Sequence, residues 1–282
     1  MSTITKPNRE YLYDNIRGIL ILLVVLGHAL EYFRLDNKVG EFIYVFIYLF
    51  HMPVFIFISG YFSKNLAKGR STAVETFLVP YLMLNMILTL IMLAIGKIDQ
   101  FMILSPGWTL WYLYCMFIWR LLLPDLVKVR RILILSFIVG IFSGFLTEFG
   151  TYMAMARTLG FLPYFLAGYF TTPEHVARIR KVPFRKTISF GIIIFAIVNA
   201  YFWTKNNLPP ELLWRDRAYA FFPVPLLQKI LTIVFLYGIG FAFIFVFLAL
   251  VNNKPHFFTA WGQRTLATVS YTHLRAHETR SN

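Results

Sequence analysis

Charge is scarce in this sequence. Only 14% of the 282 residues are Asp, Glu, Lys or Arg, against about 25% in a soluble globular domain. Hydrophobic types reach 58% and aromatics 18%, more than a soluble core of this size can hide. A soluble enzyme and a disordered chain are both excluded. Cysteine is almost absent: Cys115 is the only one, so no disulfide forms within the chain and a disulfide-stapled secreted domain is excluded. No Pro/Gly/Ser-rich linker separates domains, and no internal repeat or matched pair of broken helices suggests a transporter. There is no phosphate-cradling Gly-rich loop ahead of Lys-Ser or Lys-Thr, no His-Glu-x-x-His, no paired cysteine and no Gly-x-Ser-x-Gly elbow. The expectation is therefore no metal ligands and no bound cofactor.

What the sequence has is long apolar runs. About 20 apolar residues cross a bilayer core. Eight runs qualify, at roughly 14–33, 42–62, 74–95, 108–123, 132–147, 157–171, 187–203 and 230–251, the fourth to seventh being short. The first follows Lys6, Arg9 and Arg17 and has no small-residue cleavage site, so it reads as a spanning helix and not a signal peptide. The net charge of +14 lies mostly in alternate loops. Lys6 and Arg9 precede the first run. Lys64, Lys68 and Arg70 follow the second, and Lys128, Arg130 and Arg131 the fourth. Arg178, Arg180, Lys181, Arg185 and Lys186 follow the sixth, and Lys254 the eighth. The other loops are poorer in cations or balanced by acids such as Asp36, Glu41, Asp99 and Glu148. This alternation is the positive-inside pattern. It predicts an all-α polytopic bundle of eight complete spans in the plasma (inner) membrane, with a cytoplasmic N-terminus and no nucleic-acid partner. Residues 257–268 read as the start of a further, truncated helix. Residues 269–282 (VSYTHLRAHETRSN) resemble the translation of a sequencing-library adapter and are set aside, leaving 1–268 as one membrane-embedded domain.

With that tail removed, His28 and His51 are the histidines inside apolar runs. Ionisable groups at membrane depth are costly and mark function by default. Arg17 and His28 are eleven residues apart, three turns plus roughly 20°, and so share a helix face about 16 Å apart along the axis. Asp14 lies one turn below Arg17 and Glu31 one turn above His28. One stripe thus reads acid, base, apolar wall, imidazole, acid. The blander account has Arg17 snorkelling to the interface and His28 bonding a neighbouring helix. His51 precedes Pro53, which removes a backbone donor. His51 then either serves the backbone around a kink or positions a substrate.

These residues carry a resemblance. Arg17-x10-His28 in a first transmembrane helix, then Phe50-His51-Met52-Pro53 and Ile58-Ser59-Gly60-Tyr61-Phe62, resemble the membrane-bound acyltransferase-3 family. The likeness is closest to its fucose 4-O-acetylase-like sugar O-acetyltransferases. It extends through Trp111-Tyr112-Leu113, Trp119-Arg120, Arg157 to Phe165, Gly168-Tyr169 and Gly262 to Leu266, covering roughly 11–268.

The resemblance implies transfer of an acyl group, usually acetyl from acetyl-CoA as cosubstrate, to a hydroxyl of a cell-surface sugar or glycan. His28 would be the catalytic base or acyl carrier, oriented by Glu31. Arg17, steadied by Asp14, would hold CoA phosphates. His51, Arg157, Trp111 and Tyr112 would position substrate, although Trp111, Tyr112 and the nearby Trp108 equally suit an interfacial belt. Arg120 reads as an anchor at a helix end. The rival reading is a multi-pass transporter with His28 and His51 as proton-relay residues. The oligomeric state is not legible.

Overall fold

The computed structural model describes residues 11–98, 104–106, 109–146, 152–219 and 225–264. Lys6, Arg9, Asp99, Trp108, Glu148 and the tail 269–282 lie outside them. Every regular element among the described residues is helical. The helices are α1 (Tyr11–Phe33), α2 (Lys38–Tyr48), α3 (His51–Tyr61), α4 (Leu66–Ser71) and α5 (Val79–Ala94), the last entered through a π-helical turn at Val74–Leu78. Then come α6 (Trp111–Leu126), α7 (Ile132–Phe142), α8 (Met155–Phe170), α9 (Pro173–Lys181), α10 (Arg185–Lys205), α11 (Leu226–Leu250) and α12 (Thr259–Arg264).

Five stretches are long and apolar enough to cross a membrane: α1, Lys38–Tyr61, Val74–Ala94, α10 and α11. Of the eight expected spans, five are thus full-length among the described residues. Each of the eight apolar runs is helical in part, but α6 and α8 have 16 residues each. At 1.5 Å per residue that is about 24 Å, short of a core about 30 Å thick. The apolar stretch Ile132–Phe145 is shorter still. The seventh run, read as short, is a 21-residue helix. Large apolar side chains face outward along α5 (Met83, Met86, Ile87, Leu90) and α10 (Phe190, Ile194, Phe195, Phe202), as lipid-facing helices require.

The chain divides into two compact units. The first comprises Met1–Ile58, Pro173–Asn206 and Gly240–Asn282; the second comprises Ser59–Thr172 and Asn207–Ile239.

In the first unit α1 packs on α12 and α2, and α2 on α10. Ala196 and Ala200, one turn apart on α10, are fully buried; small residues let helix backbones approach. Phe50 stacks on Phe243 at 3.9 Å. Basic side chains close the C-terminal end of α11. Arg180 donates to the carbonyls of Leu248 and Val251 at 3.4 and 3.0 Å, and Arg185 to Ala249 at 3.3 Å. Guanidinium groups there satisfy carbonyls that the helix leaves unpaired. Asn15, near the start of α1, donates to the carbonyls of Asn252 and Lys254 at 3.0 and 2.8 Å. The start of α1, the 180–185 segment and the end of α11 therefore share one end of this unit.

In the second unit α7 packs on α8, and α6 on α4 and α8. Trp119 stacks on Phe165 at 5.1 Å and donates to the Thr158 carbonyl at 2.9 Å. Cys115 Sγ lies 3.2 Å from Thr158 Oγ1. Lys64 bonds the carbonyls of Gly168, Tyr169 and Thr171 at the end of α8, and Arg70 meets Asp125 at 2.5 Å. One end of this unit thus gathers the loops after the second, fourth and sixth runs. Met153 bonds Leu104, and Arg157 bonds Trp214, which gathers in this unit the loops after the third, fifth and seventh runs.

Candidate functional site

The stripe on α1 forms two pairs. Asp14 Oδ1 and Arg17 Nη1 are 3.8 Å apart, with side chains 14% and 13% exposed. His28 Nδ1 and Glu31 Oε2 are 3.6 Å apart. Each pair is one turn apart on a helix, the spacing at which side chains face one another. Glu31 therefore reaches back to His28. The carboxylate stands at ion-pair distance from Nδ1, where it would steady a protonated imidazole.

A polar clasp fixes the lower half of α1. Asn15 is fully buried, and Thr259 Oγ1 donates to its Oδ1 at 2.5 Å. The backbone N–H of Leu12 donates to Asn253 Oδ1 at 2.9 Å. Close contact needs two glycines. A Cβ on Gly18 would meet the Phe258 carbonyl oxygen at 2.5 Å, and one on Gly262 would collide with the Asp14 carbonyl. The backbone carrying Asp14 and Arg17 is thereby held on both sides of the pair.

His51 is 4% exposed and opens α3, directly after the α2 that packs on α1. Its Nδ1 lies 2.9 Å from the Ile47 carbonyl, so it donates a hydrogen bond there and Nε2 carries the lone pair. The helix is interrupted at Leu49–Phe50, and Phe50 N–H also turns to Ile47. His51 thus serves the backbone around a break set four residues ahead of the Pro53 that weakens it. It also faces the α1 site. The Tyr48 ring meets His51 edge-on at 4.7 Å and stacks on Tyr44 at 3.9 Å. Tyr48 rests against Gly27, where an added Cβ would stand 3.0 Å from its ring. Arg34 lies over Tyr44 at 5.1 Å. His28 and His51 are electrostatic neighbours. Tyr48, three residues before His51, was legible from spacing; Tyr44 and Arg34 had no such signal.

The remaining candidates lie in the second unit. Arg157 Nε donates to the Trp214 carbonyl at 3.0 Å, and its Nη2 stands 3.8 Å from Asp216 Oδ2. Its guanidinium covers Trp111 at 4.9 Å, and Trp111 stacks on Phe161 at 5.5 Å. Trp111 and Tyr112 are each 8% exposed, and Tyr112 shares a 2.7 Å hydrogen bond with Ser59. Neither ring faces outward as a belt anchor would. Sequence reasoning missed Arg215. It is 6% exposed, bonds the carbonyls of Gly160 and Gly140 at 2.9 and 3.1 Å, and lies over Tyr237 at 4.6 Å. A loop arginine 55 residues from its carbonyl leaves no local pattern. Beside it, burial pushes the Tyr219 phenol up to about 12. Burial also lowers the Lys64 ammonium from its usual value. Among the described residues no three His, Cys, Asp or Glu come together as metal ligands.

A family model described as an acyltransferase domain, acyltransferase-3, matches residues 10–272. The chain belongs to the acyltransferase-3 family. Two curated relatives are similar over shorter stretches. The nodulation protein NolL of Sinorhizobium fredii is 48% identical over 61 residues, 21% of this chain and 17% of that protein. NolL of Mesorhizobium japonicum is 36% identical over 84 residues, 27% of this chain and 22% of its own. The matched stretches thus span about a fifth of these relatives' length. No solved structure matches. The family resemblance read from the motifs on α1 to α3 is borne out for an acyltransferase-3 membrane protein.

Proposed function

We propose that this acyltransferase-3 protein is an integral-membrane O-acyltransferase. It would move an acetyl group from acetyl-CoA to a hydroxyl of a cell-surface sugar or glycan. The observation that carries the reading is the pair of pairs on α1: Asp14–Arg17 below and His28–Glu31 above, on one face. A sugar hydroxyl is a poor nucleophile near neutrality. His28 Nε2 takes its proton as the oxygen attacks the thioester carbonyl carbon. The C–S bond then breaks, and the imidazolium returns the proton to the leaving thiolate. Glu31 steadies the imidazolium through Nδ1. Alternatively, Nε2 itself receives the acetyl group and passes it on. Arg17 offers a forked set of donors to phosphate, and about 16 Å of apolar helix separates it from His28, a span matched to an extended pantetheine arm.

The reading includes eight crossings in the plasma membrane, three of them by short or tilted helices with local bilayer thinning, and a cytoplasmic N-terminus. The test is thiol release from acetyl-CoA by the purified full-length chain in nanodiscs, with and without candidate sugars. Sugar-dependent release supports the reading. Coupled ion flux with no thiol release would instead support a carrier in which His28 and His51 relay protons.

A further inference from the structure

Arg120 is a cation that the acyl-transfer reading leaves unused. It lies past the midpoint of α6 and is only partly exposed. Its Nε is buried and has no hydrogen-bond partner among the described residues. No carboxylate among them stands within ion-pair distance of it, although a guanidinium carries five N–H donors. The one acid on the adjoining turn, Asp125, is engaged by Arg70 and Lys128 at 2.5 and 3.0 Å. Glu75 is exposed. The segments that meet here, 64–75 and 120–131, hold seven cations (Lys64, Lys68, Arg70, Arg120, Lys128, Arg130, Arg131) and two acids.

The surroundings hold the side chain flat. It lies on Gly69 of α4, where an added Cβ would stand 2.9 Å from Nη1 and 3.5 Å from Cδ. On another side the Phe77 ring centre is 6.0 Å from Cζ. Gly69 and the Phe77 ring thus flank the guanidinium, with its Nε withdrawn from solvent and without a partner among the described residues. Leaving the buried Nε donor unmet is costly. The excess of positive charge around it selects an anion, and the fork matches tetrahedral oxyanions.

We propose that Arg120, seated between Gly69 and Phe77, binds a phosphate ester. Two sources share that chemistry: the phosphates of a nucleotide-type acyl carrier and the headgroup of an anionic lipid. Only the first rests on the acyl-transfer reading.

The experiment uses the full chain in phosphatidylcholine nanodiscs, with two probes. Desulfo-CoA binding is measured by titration, and phosphatidylglycerol retention by native mass spectrometry after doping the discs. Arg120→Gln is expected to weaken one probe by about tenfold or more, the worth of one charge-assisted hydrogen-bond pair. Arg120→Lys, a charge without a fork, should lose less. Gly69→Ala keeps the charge but displaces Nη1, and should weaken the same probe. Arg70→Gln removes one cation of the surrounding excess without touching the fork, and should weaken it less than Arg120→Gln. Loss confined to desulfo-CoA assigns the site to the carrier; loss confined to phosphatidylglycerol assigns it to lipid. Unchanged binding of both probes in Arg120→Gln overturns the proposal, as does an equal loss in Arg70→Gln. Should Arg120→Gln fail to insert, unchanged binding in Gly69→Ala overturns it instead. Absent thiol release alongside Arg120-dependent lipid retention would sink the acyl-transfer reading and leave this one standing.

Discussion

At the scale of single residues, His28 and Arg17 divide the reaction between them. Glu31 sits 3.6 Å from His28 Nδ1, so losing the imidazole removes the base while losing the carboxylate disturbs only its orientation. His28→Ala is expected to lower kcat by about 10²–10⁴-fold, the usual worth of a general base, with insertion and folding intact. Glu31→Gln should lower it less. Near-normal turnover in His28→Ala, measured by thiol release, would remove His28 from the mechanism. His51 spends Nδ1 on the Ile47 carbonyl, so His51→Gln, which can still donate there, should be milder than His51→Leu. Arg17 is held by Asp14, and a lysine keeps the charge but not the fork. Arg17→Lys should therefore raise the KM for acetyl-CoA, Arg17→Ala should raise it further, and the acceptor KM should barely move. Loss of acceptor affinity alone would place the sugar, and not the donor, at Arg17.

At the scale of elements, the helices are joined by contacts that tolerate little added bulk and few unmet polar groups. Asn15 makes three hydrogen bonds from a fully buried position on α1. Asn15→Leu leaves the Thr259 hydroxyl and two carbonyls to find new partners, a loss of about 1–3 kcal/mol. Its activity should fall through donor KM, because the clasp holds the backbone of Asp14 and Arg17. In the second unit, a Cβ on Gly60 of α3 would collide with the Phe165 carbonyl of α8. That atom is backbone and cannot swing aside. Gly60→Ala is expected to destabilise by about 1–3 kcal/mol, as overpacking does. Thermal or denaturant unfolding in detergent checks both substitutions, and a Gly60→Ala chain as stable as the parent would show that α3 and α8 can part.

At the scale of the whole molecule, the alternating basic loops make a statement about orientation. The 173–186 segment and the start of α1 are expected on the cytoplasmic side. Reporter fusions or cysteine labelling at 173–186 check this, and labelling from outside would invert the topology. Helix existence, the apolar faces and the His28–Arg17 stripe were legible because they depend on composition and on a period of 3.6 residues, both local properties. The span count was less legible, because hydropathy marks apolar runs and not where a helix stops. Thus α6 and α8 end short, while α10 runs past its apolar window. Arg215 meeting Gly160, Arg157 meeting Asp216 and Asn15 meeting the segment after α11 join residues 55, 59 and 237–244 apart. No local pattern encodes such meetings. Composition and periodicity are enough to establish a helical membrane protein with one charged stripe on its first helix. Packing was needed to show that Asn15 is clasped by the segment after α11, that Arg215 reaches the carbonyls of Gly160 and Gly140, and that Arg120 lies against Gly69. Those outcomes depend on side-chain direction and close packing between distant segments, which spacing along one helix does not specify.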